Sequence, residues 1–329
     1  MLKVLRVGDP HVKISNLKES ATLMMQVLLQ ARKHEVNRIE ILGDLFHTHA
    51  VLRLEVLEFW DRHLRALAAH YETVVLVGNH DQTGEYNSKS HAMSVFKTSK
   101  IPNLTIVEEG YQPYQSGPIG YVGYHHDPEL FVEMANQLGT PVIVCHQTFA
   151  GSQFENGFYA PEGINPDLLK CNLIISGHIH ARQRFGKVIY PGTARWDSAS
   201  DANQPKGLWL VEHDDISGAI LKEEFIDTSE VCTPIFSLEW KEGDNMPAML
   251  LVPGHAKVSV ELIGSSNWVS EKKTELKGKV AVKTKITDKT KPINRTAGKS
   301  FMDYLQNIFV STMDREALLA AAKEYDIGQ

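Results

Sequence analysis

The sequence lacks the features of a membrane protein and of a disulfide-stabilised protein. Its 329 residues contain no apolar run of about 18 residues, so we predict neither a membrane-spanning helix nor a membrane partner. The three cysteines, Cys145, Cys171 and Cys232, are too far apart to form a CxxC pair or a disulfide framework. The chain starts with Met1 and an apolar run over 2–7, without the pattern of a secretory signal. These absences predict a protein of the reducing cytoplasm.

The sequence also lacks an overall excess of basic residues, because 34 Lys and Arg stand against 40 Asp and Glu, for a net charge of −6. Attraction of the whole surface to nucleic acid is therefore not indicated. One segment differs, since the eight lysines from Lys272 to Lys291 are accompanied only by Glu275 and Asp288. Such a segment either binds a polyanion or forms a solvated pair of strands whose lysines protect an exposed edge.

Short apolar segments alternate with amphipathic ones over the first 230 residues. This alternation predicts an α/β domain built in layers. Apolar residues at helical spacing predict helices at 17–31 and 54–67. The predicted strands cover residues 2–7, 38–42, 73–77, 120–123, 141–145, 173–176, 187–190, 207–211 and 219–226.

The pattern changes after residue 226. Residues 232–290 contain short β-type runs and no clear helix, and residues 288–300 have the polar, Pro- and Gly-broken composition of a linker. Apolar residues then recur at helical spacing over 301–310 and 314–325, which predicts two short amphipathic helices. We therefore expect three parts, with boundaries at 1–230, 231–290 and 291–329.

Residues that can bind metal ions follow five of the predicted strands, directly where each strand ends. Ligands of an α/β sheet bind beyond the carboxyl ends of its strands, so we expect the five clusters to meet at one place. The clusters are Asp9-Pro10-His11, Gly43-Asp44-Leu45-Phe46-His47, Gly78-Asn79-His80-Asp81, His146 and Gly177-His178-Ile179-His180.

The candidate ligands in these clusters are carboxylates, an amide and imidazoles, without a thiolate. A mixed set of nitrogen and oxygen ligands suits Mn²⁺, Fe²⁺ or Zn²⁺ in an open site better than a structural zinc. Two ions that share one bridging carboxylate would use all seven side chains, and ion pairs roughly 3.5–4 Å apart are typical of phosphoester hydrolysis. The seven candidates are Asp9, His11, Asp44, Asn79, His146, His178 and His180.

This series of motifs resembles the calcineurin-like metallophosphoesterase superfamily, whose signature is D-x-H, G-D-x-x-[DH], G-N-H-[DE], a single H and G-H-x-H. Within it, the forms GDLFH at 43–47 and GNHD at 78–81 resemble the SbcD-type DNA double-strand-break repair nucleases, which include phage recombination nuclease subunits. The motifs cover residues 9–180. The resemblance implies an α/β fold with a layered β-sandwich core flanked by helices, a small β-rich capping domain and a helical C-terminal tail.

The resemblance also implies a role for each cluster. One ion is expected to bind Asp9, His11 and His180. The other is expected to bind Asn79, His146 and His178. Asp44 would bridge the two ions.

The remaining residues of these motifs are expected to act beside the ions. His80 resembles the catalytic histidine that faces the scissile phosphate, and His47 resembles its partner, which orients or tunes it. Asp81 is expected to act from behind the ligands, because histidines at metal sites are usually held by a neighbouring acceptor.

The function implied by the resemblance is a two-metal DNA nuclease subunit, with exonuclease action on duplex ends and endonuclease action on single strands. Mn²⁺ is the expected ion, with Mg²⁺, Fe²⁺ and Zn²⁺ as alternatives. The expected partners are an SbcC-type (Rad50-like) ATPase, which would bind the C-terminal helices, and a second copy of the nuclease. The setting would be DNA repair or recombination in a bacterial or phage-infected cell. DNA contacts are expected at Lys272, Lys273, Lys277 and Lys279.

Two other functions are compatible with the fold. A phosphatase or small-substrate phosphodiesterase would keep the chemistry and change the substrate, although protein phosphatases of this superfamily carry Arg where this chain has Val77. A non-catalytic scaffold would have lost metal ligands or the catalytic histidine, and this chain retains all of them. A helical stripe of Leu52, Val56, Phe59, Trp60 and His63 could either form a dimer contact or pack into the core.

Overall fold

A computed structural model describes residues 1–49, 51–83, 90–111, 117–160, 162–247, 254–278 and 280–287. The chain divides into two compact units, of which the first holds residues 1–238 and 247–260 and the second holds residues 239–246 and those from 261 onward. The linker predicted at 288–300 and the helices predicted at 301–310 and 314–325 lie outside the described residues. Within the described part, no helix has the length and apolar character needed to cross a bilayer.

The regular elements alternate along the first unit and become mainly strands near its end. Short 3-10 turns lie at Ile14–Asn16, Pro166–Leu168 and Ala199–Asp201. The elements in chain order are β1 (Leu2–Val7), α1 (Leu17–Lys33), β2 (Arg38–Ile41), α2 (Leu54–Ala68), β3 (Glu72–Leu76), α3 (Ser94–Thr98), β4 (Leu104–Val107), β5 (Ile119–Val122), α4 (Pro128–Gln137), β6 (Val142–His146), β7 (Leu173–Gly177), β8 (Gln183–Phe185), β9 (Val188–Tyr190), β10 (Gly207–His213), β11 (Ile220–Asp227), β12 (Ile235–Lys241), β13 (Lys257–Gly264), α5 (Ser266–Leu276) and β14 (Ala281–Ile286).

Two sheets of the first unit carry most of its strands. The first has the order β11-β10-β1-β2-β3-β4, in which β1 to β4 are parallel and β10 and β11 are antiparallel additions. The second has the order β5-β6-β7-β9-β8, in which all strands but β8 are parallel. Both sheets therefore contain a run of parallel strands whose carboxyl ends share one edge.

The two sheets pack face to face with helices on their outer faces. Val74 and Trp209 of the first sheet pack in one apolar cluster with Tyr121 and Val144 of the second. Helices α1 and α2 cover the outer face of the first sheet, and α4 covers the outer face of the second. All residues of β2, β5 and β6 are buried, as expected for parallel strands covered on both faces. The fold is therefore the layered α/β sandwich that the sequence predicted.

The apolar stripe of α2 packs into the core. Val56, Phe59 and Trp60 belong to the cluster between α1, α2 and the first sheet, and Trp60 Nε1 donates to the Leu45 carbonyl. Leu52, which precedes the helix, remains 45% exposed. Most of the stripe considered for a dimer contact therefore has a structural role.

The sequence prediction was incomplete, since α3, β4 and β8 have no predicted counterpart, and two further points concern helices. Helix α4 was missed, although Asp127 caps it by accepting from two backbone amides and Pro128 occupies its first turn. The absence of a clear helix in residues 232–290 was wrong, because Ser266–Leu276 forms α5. Only Val269 and Leu276 of α5 are buried, so its apolar stripe is too sparse for a periodicity argument.

A third sheet has the order β12-β13-β14. The lysine-rich segment is divided between α5 and β14. Lys272 and Lys273 lie on the helix, so the alternative of a lysine-guarded pair of strands was wrong for them. The exposed Lys283 and Lys285 lie on β14, which forms one edge of this sheet.

A charged network is buried between the two sheets of the first unit. Arg6 Nε donates to Glu40 Oε2 at 2.7 Å, and Arg6 also contacts His213 Nε2 at 3.0 Å. Across the sandwich, the Tyr121 hydroxyl accepts from Arg38 Nη1 at 2.7 Å and donates to Glu40. All five side chains are almost fully buried, so each charge depends on its partners rather than on water.

Replacement of Glu40 tests this dependence. Glu40→Gln would leave Arg6 buried without its anion, and we expect the free energy of unfolding to fall by about 3–5 kcal/mol. Urea denaturation measures the change. Asp61→Asn, which breaks a solvent-exposed pair with Arg65, is the control and should have a far smaller effect. Equal losses in the two variants would contradict a stabilising role for the buried network.

Candidate metal centre

The structure brings the five polar clusters together at one end of the sandwich. Asp9 and His11 follow β1, Asp44 follows β2, and Asn79 and His80 follow β3. From the second sheet, His146 ends β6, and His178 and His180 follow β7. Parallel strands with a common direction place these loops side by side, which explains how residues 170 positions apart in sequence meet.

The candidate ligands form two groups. In the first, ligand atoms of Asp9, His11 and His180 lie within 4.8 Å of one another, and the two Nε2 atoms are 3.0 Å apart. In the second, ligand atoms of Asp44, His146 and His178 lie within the same distance. Asn79 joins the second group, because its Oδ1 lies 3.0 Å from His146 Nε2 and 2.8 Å from His178 Nδ1.

Asp44 lies between the two groups. Its Oδ2 is 3.6 Å from His11 Nε2 in the first group and 3.4 Å from His146 Nε2 in the second. Its Oδ1 accepts a hydrogen bond from the backbone amide of His80 at 2.8 Å. One carboxylate thus touches both groups and the histidine beside them, which is the position that a bridging ligand requires.

The arrangement fits divalent ions. Two ligand atoms that are each about 2.1 Å from one ion, at a near right angle, lie about 3 Å apart, as the facing nitrogens of His11 and His180 do. The Oδ1 atom of Asp9 is buried and has no hydrogen-bond partner among the described residues. A buried carboxylate oxygen without a donor is costly unless a cation binds it.

The protonation states also favour cation binding. Burial lowers the pKa of His11 and His178 to about 3, so both rings are neutral near pH 7 and offer a lone pair. Burial alone would lower the pKa of His146, but Asp44 and Asp9 raise it to about 9. The proton on His146 therefore supplies positive charge that a bound ion would replace, and metal binding is expected to release protons.

The backbone at the site adopts strained conformations. Four of the eight described non-glycine residues with positive φ are candidate ligands: Asp9, His11, Asp44 and His178. Such conformations are rare outside glycine and concentrate where function requires a defined geometry.

Two glycines of the motifs allow the ligands to approach. Gly43 has a φ of +112°, and a Cβ atom there would lie 2.3 Å from His146 Nδ1. A Cβ atom on Gly78 would lie 2.2 Å from Asp44 Oδ1. Any larger residue at either position would displace a ligand.

His80 is held in place from several directions. Its Nδ1 bonds to the backbone carbonyl of His47 at 2.9 Å, and its ring is 4.8 Å from that of His11 in an edge contact. The exposed ring of His49 stacks on it at 4.2 Å, while His49 Nδ1 bonds to the Asn79 carbonyl at 2.9 Å. The His47 ring also stacks on that of His80, with centroids 6.2 Å apart, and its Nδ1 lies 3.3 Å from Asp197 Oδ2.

The Asp81 carboxylate bonds to the backbone of two loops rather than to the side chain of a candidate ligand. Its two carboxylate oxygens accept from the backbone amides of Phe46 at 3.0 Å and Gly78 at 2.9 Å. It therefore joins the loop after β2 to the loop after β3, the two loops that carry Asp44 and Asn79.

A buried ion pair behind His180 was not found from the sequence. Asp201 Oδ1 lies 3.4 Å from His180 Nδ1 and 2.6 Å from Lys206 Nζ. Lys206 also donates to the His180 carbonyl at 2.8 Å, and both charged side chains are fully buried. Asp201 thus orients the ring of His180 with Nε2 towards His11. Burial alone would raise the pKa of Asp201, but His180 and Lys206 hold it below the usual range.

The lysines predicted to contact DNA belong to the second unit. Lys273 and Lys277 are exposed. Lys272 Nζ pairs with Glu275 at 2.9 Å and with Glu271 at 3.2 Å, and it lies 5.4 Å from the centre of the Trp240 ring. Lys279 lies outside the described residues.

Comparison with known proteins identifies the family. The sequence profile of the family described as Calcineurin-like phosphoesterase matches residues 2–182, more than half of the chain. The chain therefore belongs to the calcineurin-like phosphoesterase family. Membership implies hydrolysis of phosphoesters with divalent metal ions, in agreement with the two groups of His and Asp ligands.

Three viral proteins are similar to this chain. "Putative phosphoesterase 244L" of Invertebrate iridescent virus 6 is 30% identical over 226 residues, which cover 65% of this chain and 77% of that protein. "Putative phosphoesterase 078R" of Invertebrate iridescent virus 3 is 28% identical over 203 residues, which cover 59% of this chain and 57% of that protein. "Exonuclease subunit 1" of Enterobacteria phage T4 is 24% identical over 227 residues, which cover 64% of this chain and 65% of that protein. The chain thus spans less than two thirds of the last two proteins.

One solved structure, Yfce, a phosphoesterase from E. coli, is 15% identical to this chain with a TM-score of 0.33. The match covers 68% of this chain and 100% of that chain.

A double variant tests the buried ion pair behind His180. Asp201→Asn combined with Lys206→Met removes both buried charges, so the variant does not leave an unpaired lysine. We expect the affinity for Mn²⁺ to fall about 10–100-fold, because the ring of His180 loses its anionic acceptor and its carbonyl loses the Lys206 donor. Calorimetric titration of EDTA-treated protein measures this.

The control is Asp167→Asn, which changes an exposed carboxylate and should leave the affinity unchanged. An unchanged affinity in the double variant, with a normal unfolding curve, would show that His180 does not depend on Asp201.

Proposed function

We propose that this phosphoesterase is a DNA nuclease subunit that cleaves phosphodiester bonds at duplex ends and in single strands. The observation that carries the two-metal chemistry is the position of Asp44, whose Oδ2 lies 3.6 Å from one ligand group and 3.4 Å from the other. The choice of DNA is supported by the similarity to "Exonuclease subunit 1" of phage T4 and by the GDLFH and GNHD forms of two motifs.

In this proposal Asp9, His11 and His180 bind one ion, Asn79, His146 and His178 bind the other, and Asp44 binds both. Bound ions would activate water and neutralise the phosphate charge during an in-line displacement. The nitrogen and oxygen ligands suit Mn²⁺, Fe²⁺ or Zn²⁺, and we favour Mn²⁺ because the resemblance to SbcD-type nucleases implies it. No thiolate competes at the site, since Cys145 is fully buried and burial raises the pKa of its thiol.

His80 acts as the general acid. The His47 carbonyl can only accept, so Nδ1 keeps its proton, and it is in the doubly protonated, imidazolium form of His80 that Nε2 carries the proton to be transferred. When the oxygen of water bonds to phosphorus and the bond to the sugar oxygen breaks, His80 Nε2 gives a proton to that departing oxygen. The stack with His49 and the edge contact with His11 keep the ring in the orientation that this transfer needs.

The partners are proposed by the same reasoning. An SbcC-type ATPase would bind the helices predicted at 301–310 and 314–325, and the reaction would serve DNA repair or recombination. The second unit would act as a capping domain, with Lys273 and Lys277 as its exposed DNA contacts. A homodimer would use the apolar residues left exposed just before and at the start of α2, Val51, Leu52 and Leu54, because most of the α2 stripe packs into the core.

A small-substrate phosphodiesterase or phosphatase is the second candidate. The names of the two iridescent virus relatives specify phosphoesterases and no substrate. Val77, in place of the Arg of protein phosphatases in this superfamily, argues against a protein phosphatase but not against a small phosphodiesterase. A scaffold without activity is disfavoured, because every candidate ligand and His80 lie at one site.

Cleavage of end-labelled DNA tests the proposal. We expect the protein to degrade DNA with Mn²⁺ and to be inactive with EDTA. His80→Ala should slow the reaction by about 10²–10⁴-fold, because the sugar oxygen then leaves without a proton. His70→Ala, which removes an exposed histidine at the end of α2, is the matched control and should retain activity.

A generic aryl phosphodiester is tested in parallel. Intact DNA together with rapid hydrolysis of the aryl ester would reject the nuclease and favour the small-substrate phosphodiesterase. If His80→Ala still cleaves DNA and hydrolyses the aryl ester as fast as the unchanged protein, the general-acid role is rejected.

A further inference from the structure

Two adjacent aromatic side chains project into solvent from the loop between β6 and β7. Phe158 is 71% exposed and Tyr159 is 67% exposed. Among the residues that the structure describes, no other aromatic side chain is more than half exposed, and the next is Tyr111 at 36%. Single exposed apolar residues are ordinary, but neighbouring aromatic rings at this exposure indicate a binding surface.

The turn that presents these rings is ordered by its own hydrogen bonds. The amide of Phe154 donates to the Phe158 carbonyl at 2.8 Å, and the amide of Gly157 donates to the Phe154 carbonyl at 2.9 Å. Gln153 and Tyr159 form a bridge across the base of the turn. Gly157 adopts a φ of +85°, which the turn requires. The rings therefore extend from a defined backbone, so little conformational entropy is lost when they bind a ligand.

The same turn is attached to the metal centre. Glu155 Oε1 accepts a hydrogen bond from the backbone amide of His180 at 2.6 Å. Gln153 and Gln183 exchange two further bonds, both at 2.7 Å. Phe158 is three residues from Glu155, so its Cα atom lies within about 11 Å of the Glu155 Cα atom. The rings are thus within reach of the nucleotides next to a phosphate bound at the ligand groups.

The composition of the loop points to nucleobases rather than phosphates. Residues 147–165 contain no Lys, Arg or His, and they include Glu155 and Glu162. The loop therefore cannot attract a phosphate or an anionic membrane surface by charge. Aromatic faces bind unstacked bases of any sequence, and each stacked base typically improves binding by roughly tenfold.

We propose that Phe158 and Tyr159 form a stacking subsite for unpaired nucleobases next to the scissile phosphate. The inference rests on the proposed nuclease function, because it assigns the substrate feature that this surface recognises. The subsite favours single-stranded or frayed ends over intact duplex, since paired bases have no free face to offer.

Binding of two labelled oligonucleotides tests the subsite separately from cleavage. One is a single-stranded thymidine 12-mer, and the other is the same backbone with abasic residues throughout. Binding is measured by fluorescence anisotropy in the His80→Ala background, in which the DNA is not consumed. We expect the base-bearing strand to bind at least about tenfold more tightly than the abasic strand. The double variant Phe158→Ala, Tyr159→Ala should bind the two strands equally. The double variant Phe158→Trp, Tyr159→Trp should keep the preference for the base-bearing strand.

The matched control is Ile216→Ala with Leu221→Ala, which removes two other exposed apolar side chains, 87% and 58% exposed, and should leave the ratio unchanged. Equal binding of both strands by the protein with intact rings would overturn the subsite. The subsite would also be overturned if the double alanine variant still preferred the base-bearing strand. The aromatic pair would then be assigned to a protein contact.

Cleavage by the protein with His80 intact is measured in parallel. An absence of Mn²⁺-dependent DNA cleavage would reject the proposed function, while the binding ratio would still decide the subsite.

Discussion

Two buried carboxylates, Asp9 and Asp44, constrain the first unit of this protein more than any other pair of side chains. Both are at most 2% exposed, and a buried negative charge must be balanced by a cation or neutralised. The surrounding imidazoles provide that balance, with a proton on His146 and with lone pairs that a metal ion can share. Burial raises the pKa of Asp9 to about 6, so its charge in particular depends on a neighbouring cation.

The fold places Asp9 and Asp44 in loops that directly follow parallel strands, so the strands determine the backbone geometry of these loops. Each ligand loop begins at the carboxyl end of a parallel strand, and the ligands come from both sheets of the sandwich. The site therefore depends on the packing of one sheet against the other, which the buried network of Arg6, Glu40 and Tyr121 also fixes. Positive φ angles at Asp9 and Asp44 are tolerated because the strands and the loops around them determine the backbone.

The sequence predicted the strands that carry the site, because parallel buried strands are continuous apolar runs and the ligand clusters follow them directly. It did not predict the pair of Asp201 and Lys206 or the stack of His49 on His80. These contacts join ordinary polar residues, and no local pattern in the sequence marks which of them come together. Helix α5 was missed because it buries only Val269 and Leu276, so neighbouring packing rather than periodicity determines it. The two exposed rings of Phe158 and Tyr159 were likewise invisible in the sequence, where aromatic residues favour a buried assignment.

The central claim is that Asp44 joins two ions at one site, and electron paramagnetic resonance of the Mn²⁺-loaded protein tests it most directly. The account predicts two Mn²⁺ ions per chain with an exchange-coupled spectrum, because one carboxylate bridges them. It also predicts that Asp44→Asn loses the coupling. A single ion per chain, or two ions with uncoupled spectra, would contradict the account.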